Sequence, residues 1–191
     1  MALVMTSAPA AEPISLAEAK AHLRVDGDEE DALISSLILT SRLHIEAALG
    51  IALVTQSWRL VLDRWPKSAS VPVPVYPLQS VVEVRVLAAD GTPDVVAEQS
   101  YIVDVPSTQG RIIKAGASLP QPGRAAGGIE IDFTAGYGAD ATSVPQPIRQ
   151  ALLLLVAHWY EHRDPIEIGS AETAIPQAVS RLLAPFRSRR L

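Results

Sequence analysis

The hydrophobic period of this chain changes twice, from helical to alternating and back to helical, and this limits the folds open to it. Ser15 and Glu18 form an S-x-x-E capping box ahead of a short helix through about Arg24, with Leu16, Ala19 and Leu23 along one face. Asp26-Gly27 breaks that helix. Asp28 is a natural N-cap for a second helix running to Leu49, where Gly50 supplies the stop. From Val54 the period is two. Trp58, Leu60 and Leu62 alternate with polar residues, as do Val82, Val84 and Val86, and Ile129, Ile131 and Phe133. Tyr101, Val103 and Val105 follow the same spacing, alternating with Ile102 and Asp104. Such segments predict antiparallel strands with one face on a core. The prolines of Val71-Pro72-Val73-Pro74-Val75 lack ladder donors and confine that stretch to an edge or linker. Residues 115 to 128 read as a loop that contacts a partner. Pro145 and Pro147 open the last long helix, which Asp164-Pro165 ends. Gln177 to Leu183 predicts a short helix before Pro185.

The fold class expected from this order is α+β. An N-terminal helix pair and a long C-terminal helix form a helical bundle, with an antiparallel β-rich region inserted. One domain is expected over 1–191: 14–50 helical, 54–135 β-rich, 146–164 the long helix, and 175–191 a C-terminal segment. At 191 residues, two separate domains would be cramped.

Two of the helices are more apolar than one buried stripe requires. Ile34, Leu37, Ile38, Ile45 and Leu49 make one face of the second helix, but Leu33, Leu39 and Leu43 fall elsewhere on the cylinder. In the last long helix Leu153 and Leu154 widen the stripe made by Ile148, Leu152, Leu155, Val156 and Trp159. A helix apolar on two sides suits a subunit interface.

Net charge is −5, which argues against a dedicated nucleic-acid binder. The charge is uneven. Asp26, Asp28, Glu29, Glu30 and Asp31 cluster near the start, and no acid follows Glu172, whereas Arg181, Arg187, Arg189 and Arg190 do. An aromatic among arginines, here Phe186, has the composition of an interface anchor. The absence of cysteine excludes disulfides and thiolate metal sites. The N-terminus lacks the pattern of a signal peptide, and the longest apolar run, Ala151 to Ala157, is far short of the roughly 20 residues of a membrane span.

One motif carries potential chemistry. His158-Trp159-Tyr160-Glu161-His162 matches H-x-x-E-H, in which two histidines a helical turn apart bind zinc and a glutamate acts as base. A third ligand would have to come from Glu167 or Glu172, close by in a loop. The competing reading places both histidines at a helix C-terminus, where imidazolium suits the dipole. A helix–turn–helix reading of the start fails because its second helix would lead with Asp28, Glu29, Glu30 and Asp31, against phosphate repulsion. The glycines of residues 123 to 128 and 136 to 138 lack a following Lys-Ser/Thr, so they do not form a phosphate cradle.

Three stretches carry a resemblance to a known family. They are ISLAEAKAHLRVDGDEEDALISSLILTSRLHIEAALG at 14 to 50, IEIDFTAGYGADATSVPQPIRQALLLLVAHWYEHRDP at 129 to 165, and IPQAVSRLLAPFRSRR at 175 to 190. Together they resemble the head–tail connector, or adaptor, proteins of long-tailed phages and gene transfer agents, with order and spacing kept over nearly the whole chain. The pattern departs most at 115 to 128 and 71 to 77.

The resemblance implies a structural subunit without enzymatic activity, catalytic residues, cofactor or metal, working in a ring of about twelve identical copies. That ring joins the portal of a tailed-phage-type head to the tail or a stopper, and it extends the DNA channel. Portal contact is expected from Phe186, Arg187, Arg189 and Arg190, and inter-subunit contact from Leu33, Leu39, Leu43, Leu153 and Leu154. Asp28, Glu29 and Glu30 are expected to face the channel and repel passing double-stranded DNA, with no sequence reading. No membrane is involved; assembly in the bacterial cytoplasm precedes residence in the neck of the released particle. The alternatives are an H-x-x-E-H zinc metallopeptidase or a generic oligomeric scaffold.

Overall fold

A computed structural model describes residues 1–68, 70–107, 109–116, 119–162 and 175–187. These form two compact units. One comprises Met1–Ala10 with Gly50–Tyr137, the other Ala11–Leu49 with Gly138–Leu191.

The first unit is built of strands: β1 (Ala2–Ser7), β2 (Gln56–Leu62), β3 (Ser70–Pro72), β4 (Leu78–Leu87), β5 (Pro93–Val95), β6 (Tyr101–Asp104), β7 (Arg111–Lys114) and β8 (Ile129–Ala135). They make a five-stranded sheet in the order β1-β2-β8-β4-β5 and a three-stranded sheet in the order β3-β7-β6, with every pairing antiparallel. One buried cluster draws on both sheets. Leu60 and Leu62, Val84 and Val86, and Ile129, Ile131 and Phe133 come from the larger, and Val71 and Ile112 from the smaller. The period-two pattern thus does what it predicts on β8, whose alternate residues are buried, and on β2, where Leu60 and Leu62 are buried and Trp58 is half-buried.

The second unit holds α1 (Leu16–Leu23), α2 (Asp31–Leu49), α3 (Gln146–Glu161) and α4 (Gln177–Leu183). The capping box is present: the Glu18 amide donates to Ser15 Oγ at 3.2 Å, and the Ser15 amide donates to Glu18 Oε2 at 2.8 Å. Ile34, Ile38, Ile45 and Leu49 of α2, and Ile148, Leu152, Leu155 and Val156 of α3, are buried. Val179 and Leu183 of α4 are buried too.

The expected helical bundle with an inserted β-rich region is overturned: strands dominate the core, and the fold is a mixed one of helices with two antiparallel sheets. Segment β1, unforeseen in the sequence, pairs with β2 from Ala2 opposite Val61 to Met5 opposite Trp58. The β-rich stretch is therefore completed by the chain's own start, and it buries its own two-sheet core.

Two local expectations change as well. Val82 is 62% exposed, because an irregularity in the β4–β8 pairing between Val81 and Glu83 turns it away from the face of Val84 and Val86. Helix α2 begins at Asp31, three residues after the expected cap, and Asp28 and Asp31 both bind Lys20. The 115–128 loop is tied down where it is described: Trp65 Nε1 donates to the Pro120 carbonyl at 2.8 Å, and the Gly127 amide to Asp63 at 2.9 Å. A Cβ on Gly123 would lie 2.4 Å from the Ala89 nitrogen, so only glycine fits that approach. The proline-rich segment behaves as expected, with β3 an edge strand.

Candidate assembly surfaces

Helix α2 is apolar on its outer side as well as on its core side. Leu33, Leu39 and Leu43 are 37%, 42% and 47% exposed. Ala32, Ser36, Thr40, Ala47 and Ala48 lie exposed around them with no charged residue among them. The charges of α2 go inward or find partners. Arg42 and Glu46 are buried, and Asp31 binds Lys20 at 2.7 Å. Arg42 reaches Glu12 through Nε at 2.8 Å and Glu46 through Nη1 at 2.9 Å. Burial opposes its charge, but the two carboxylates prevail and hold the guanidinium above its usual range. A surface helix normally does the reverse, with leucine inside and charge outside. A contiguous exposed apolar face marks an interaction site.

By length and composition alone, α2 could cross a membrane. Its Ile34, Ile38, Ile45 and Leu49 are instead committed to a protein core. On α3, Leu153 and Leu154 are half-buried, as residues at the rim of a core are.

The C-terminal segment follows α4 with a 3-10 turn over 184–186, closed by the Arg187 amide on the Ala184 carbonyl. Phe186 is half-buried and Arg187 exposed, while Arg189 and Arg190 lie outside the described residues. Of the acidic trio, Asp28 binds Lys20 at 3.0 Å while staying 91% exposed. Glu30 accepts a hydrogen bond from the Tyr160 hydroxyl, and Glu29 is exposed. Lys20 is raised above its usual range by its bonds to Asp31 and then Asp28.

The H-x-x-E-H motif straddles a helix end. Helix α3 stops at Glu161, and His162 caps it, its Nδ1 2.8 Å from the His158 carbonyl. Burial and the neighbouring His162 push His158 below the ordinary imidazole range. Glu167 and Glu172 lie outside the described residues, and among the described residues no three His, Cys, Asp or Glu side chains are placed to hold a metal ion. Both histidines thus stand at the C-terminal end of α3.

One cluster escaped the sequence reading. Across β2, β8 and β4, Arg59 binds Asp132 at 2.7 Å, and Arg85 binds Asp132 at 2.7 Å, Glu130 at 3.0 Å and Glu83 at 2.6 Å. Each residue occupies a polar position of its alternating strand, so its type was legible but its cross-strand partner was not.

The match to known proteins covers the chain from end to end. A family model for head completion proteins matches residues 12–188. No curated protein is a significant match. Among solved structures, a chain in the neck of an empty GTA particle computed with C6 symmetry is similar with a TM-score of 0.85 at 30% identity. Chains of the virion of a native gene transfer agent (GTA) particle and of a native GTA neck computed with C12 symmetry are similar with TM-scores of 0.83 at 31% identity. Each comparison covers 100% of this chain and 97% of the other. With the family model spanning all but the ends of the sequence, the chain belongs to the head completion protein family.

Proposed function

We propose that the chain is a structural subunit of the neck of a tailed-phage-type or gene-transfer-agent particle. It joins the portal of the head to the tail or a stopper and extends the DNA channel. The observation that carries this is end-to-end similarity at 30–31% identity to chains of GTA particle necks. The uncharged outer face of α2 supports it, because it is a surface that a neighbouring subunit would cover.

Symmetries of C6 and C12 in those necks agree with a ring of about twelve copies, closed by heterologous contacts. In this reading Leu33, Leu39, Leu43, Leu153 and Leu154 meet the next subunit. Phe186, Arg187, Arg189 and Arg190 hold the portal, and Asp28, Glu29 and Glu30 turn towards passing DNA. The chain acts as one adaptor without enzymatic activity, cofactor or membrane contact. It assembles in the bacterial cytoplasm before taking its place in the particle.

Deleting residues 185 to 191 tests the portal contact. The truncated subunit is expected to fold but to leave heads unjoined to tails, as seen by electron microscopy and by loss of DNA transfer. Fully transfer-competent particles from the truncated chain would overturn the portal role.

A further inference from the structure

The β-rich unit contains a cavity of about 340 Å³ that no part of the assembly reading uses. Its apolar wall includes Trp65, Val84 and Ile112, with Tyr101 alongside, so both sheets contribute. The sequence has three lysines, Lys20, Lys67 and Lys114, and two of them stand at this cavity. Both are exposed, and neither has an ion-pair partner among the described residues. Among the described residues no acid lines the cavity. Of the acids that act on the Tyr101 hydroxyl, Glu98 and Glu83, the second is engaged by Arg85 at 2.6 Å. In a chain of net charge −5, an apolar hollow rimmed by two lysines is a local reversal of sign.

We infer that this cavity is a docking pocket for a protein segment that presents a large apolar side chain flanked by carboxylates. Its volume, at the low end of the roughly 300–1,000 Å³ of ligand sites, has room for one aromatic or large aliphatic side chain. The apolar wall takes that side chain, while Lys67 and Lys114 pair with the acids on either side. Buried apolar anchors with a charged rim are the usual anatomy of such contacts. The occupant's being a protein segment rests on the neck reading. The pocket and its preference rest on the cavity alone.

The test uses the full chain and fluorescein-labelled heptapeptides followed by anisotropy. The probes carry a central Phe between Asp residues, a central Phe between Lys residues, or a central Ala between Asp residues. The Asp-flanked Phe peptide is expected to bind saturably, about tenfold tighter than either control. Lys67→Glu/Lys114→Glu, at exposed positions and checked for native circular dichroism, is expected to weaken it by about tenfold. As a second variant, Lys67→Arg/Lys114→Arg keeps the charge and is expected to retain binding. No saturable binding up to about 1 mM, equal binding of the Lys-flanked peptide, or indifference to the glutamate pair would overturn the assignment. Failure here leaves ring membership standing, and failure to join particles leaves peptide binding intact, so the two readings fail separately.

Discussion

Arg42 and Glu46, one turn apart on α2, form an ion pair of 2.9 Å with only 5% and 9% of their side chains exposed. The pair is anchored from outside the helix by Glu12, whose Oε2 lies 2.8 Å from Arg42 Nε. Directing these charges inward is what leaves the leucines of α2 an uncharged outer face.

Removing one partner of this pair is expected to be costly. Arg42→Ala removes the cation that Glu12 and Glu46 share and should destabilise the chain by about 3–5 kcal/mol. The double change Arg42→Met/Glu46→Leu should recover most of that loss. Chemical denaturation of the parent and the two variants measures it, and an Arg42→Ala midpoint equal to the parent's would show that the pair contributes nothing.

The outer leucines should separate stability from assembly. Leu39→Glu/Leu43→Glu places charge at positions already 42% and 47% exposed, so the folded subunit should change by no more than about 1 kcal/mol. Ring incorporation should be abolished, because each new carboxylate would be buried unpaired against a neighbour. Wild-type levels of the variant in purified particles would remove α2 from the subunit interface.

Acid should weaken the β-rich unit through Asp132. Burial opposes its ionisation, but Arg59 and Arg85 outweigh burial and hold its pKa below the ordinary aspartate value. A carboxyl lowered in the folded state contributes stability that is fully present above the unfolded value near about 3.9. That contribution is lost as pH falls through the lowered folded value. Thermal melting from neutral pH down to about pH 3 should therefore show a steeper decline for the parent than for Asp132→Asn. Parallel curves would assign the acid sensitivity elsewhere.

The first helix depends on its cap. Ser15→Ala removes the acceptor of the Glu18 amide and is expected to cost about 1 kcal/mol, read as a lowered melting temperature. Ser15→Asp should retain most of the stability, since aspartate caps as well as serine.

Local patterns in the sequence were enough to determine α1 with its capping box, α4, the body of α3 and the alternating strands β2 and β8. Each depends on neighbours within a few residues. The doubly apolar α2 was legible for the same reason, and with it the leucines of the candidate interface. Only the tertiary structure decided that Ala2–Ser7 belongs to the sheet, since β1 exists by pairing with β2 and not by any pattern of its own. It also decided that Val82 faces away from the core, and that Arg42 and Glu46 point inward to an acid brought from Glu12. Lys67 and Lys114 share one cavity for a comparable reason. In each case the partner is distant in sequence, and closing the intervening loop becomes favourable only through contacts that no short stretch of chain can make alone.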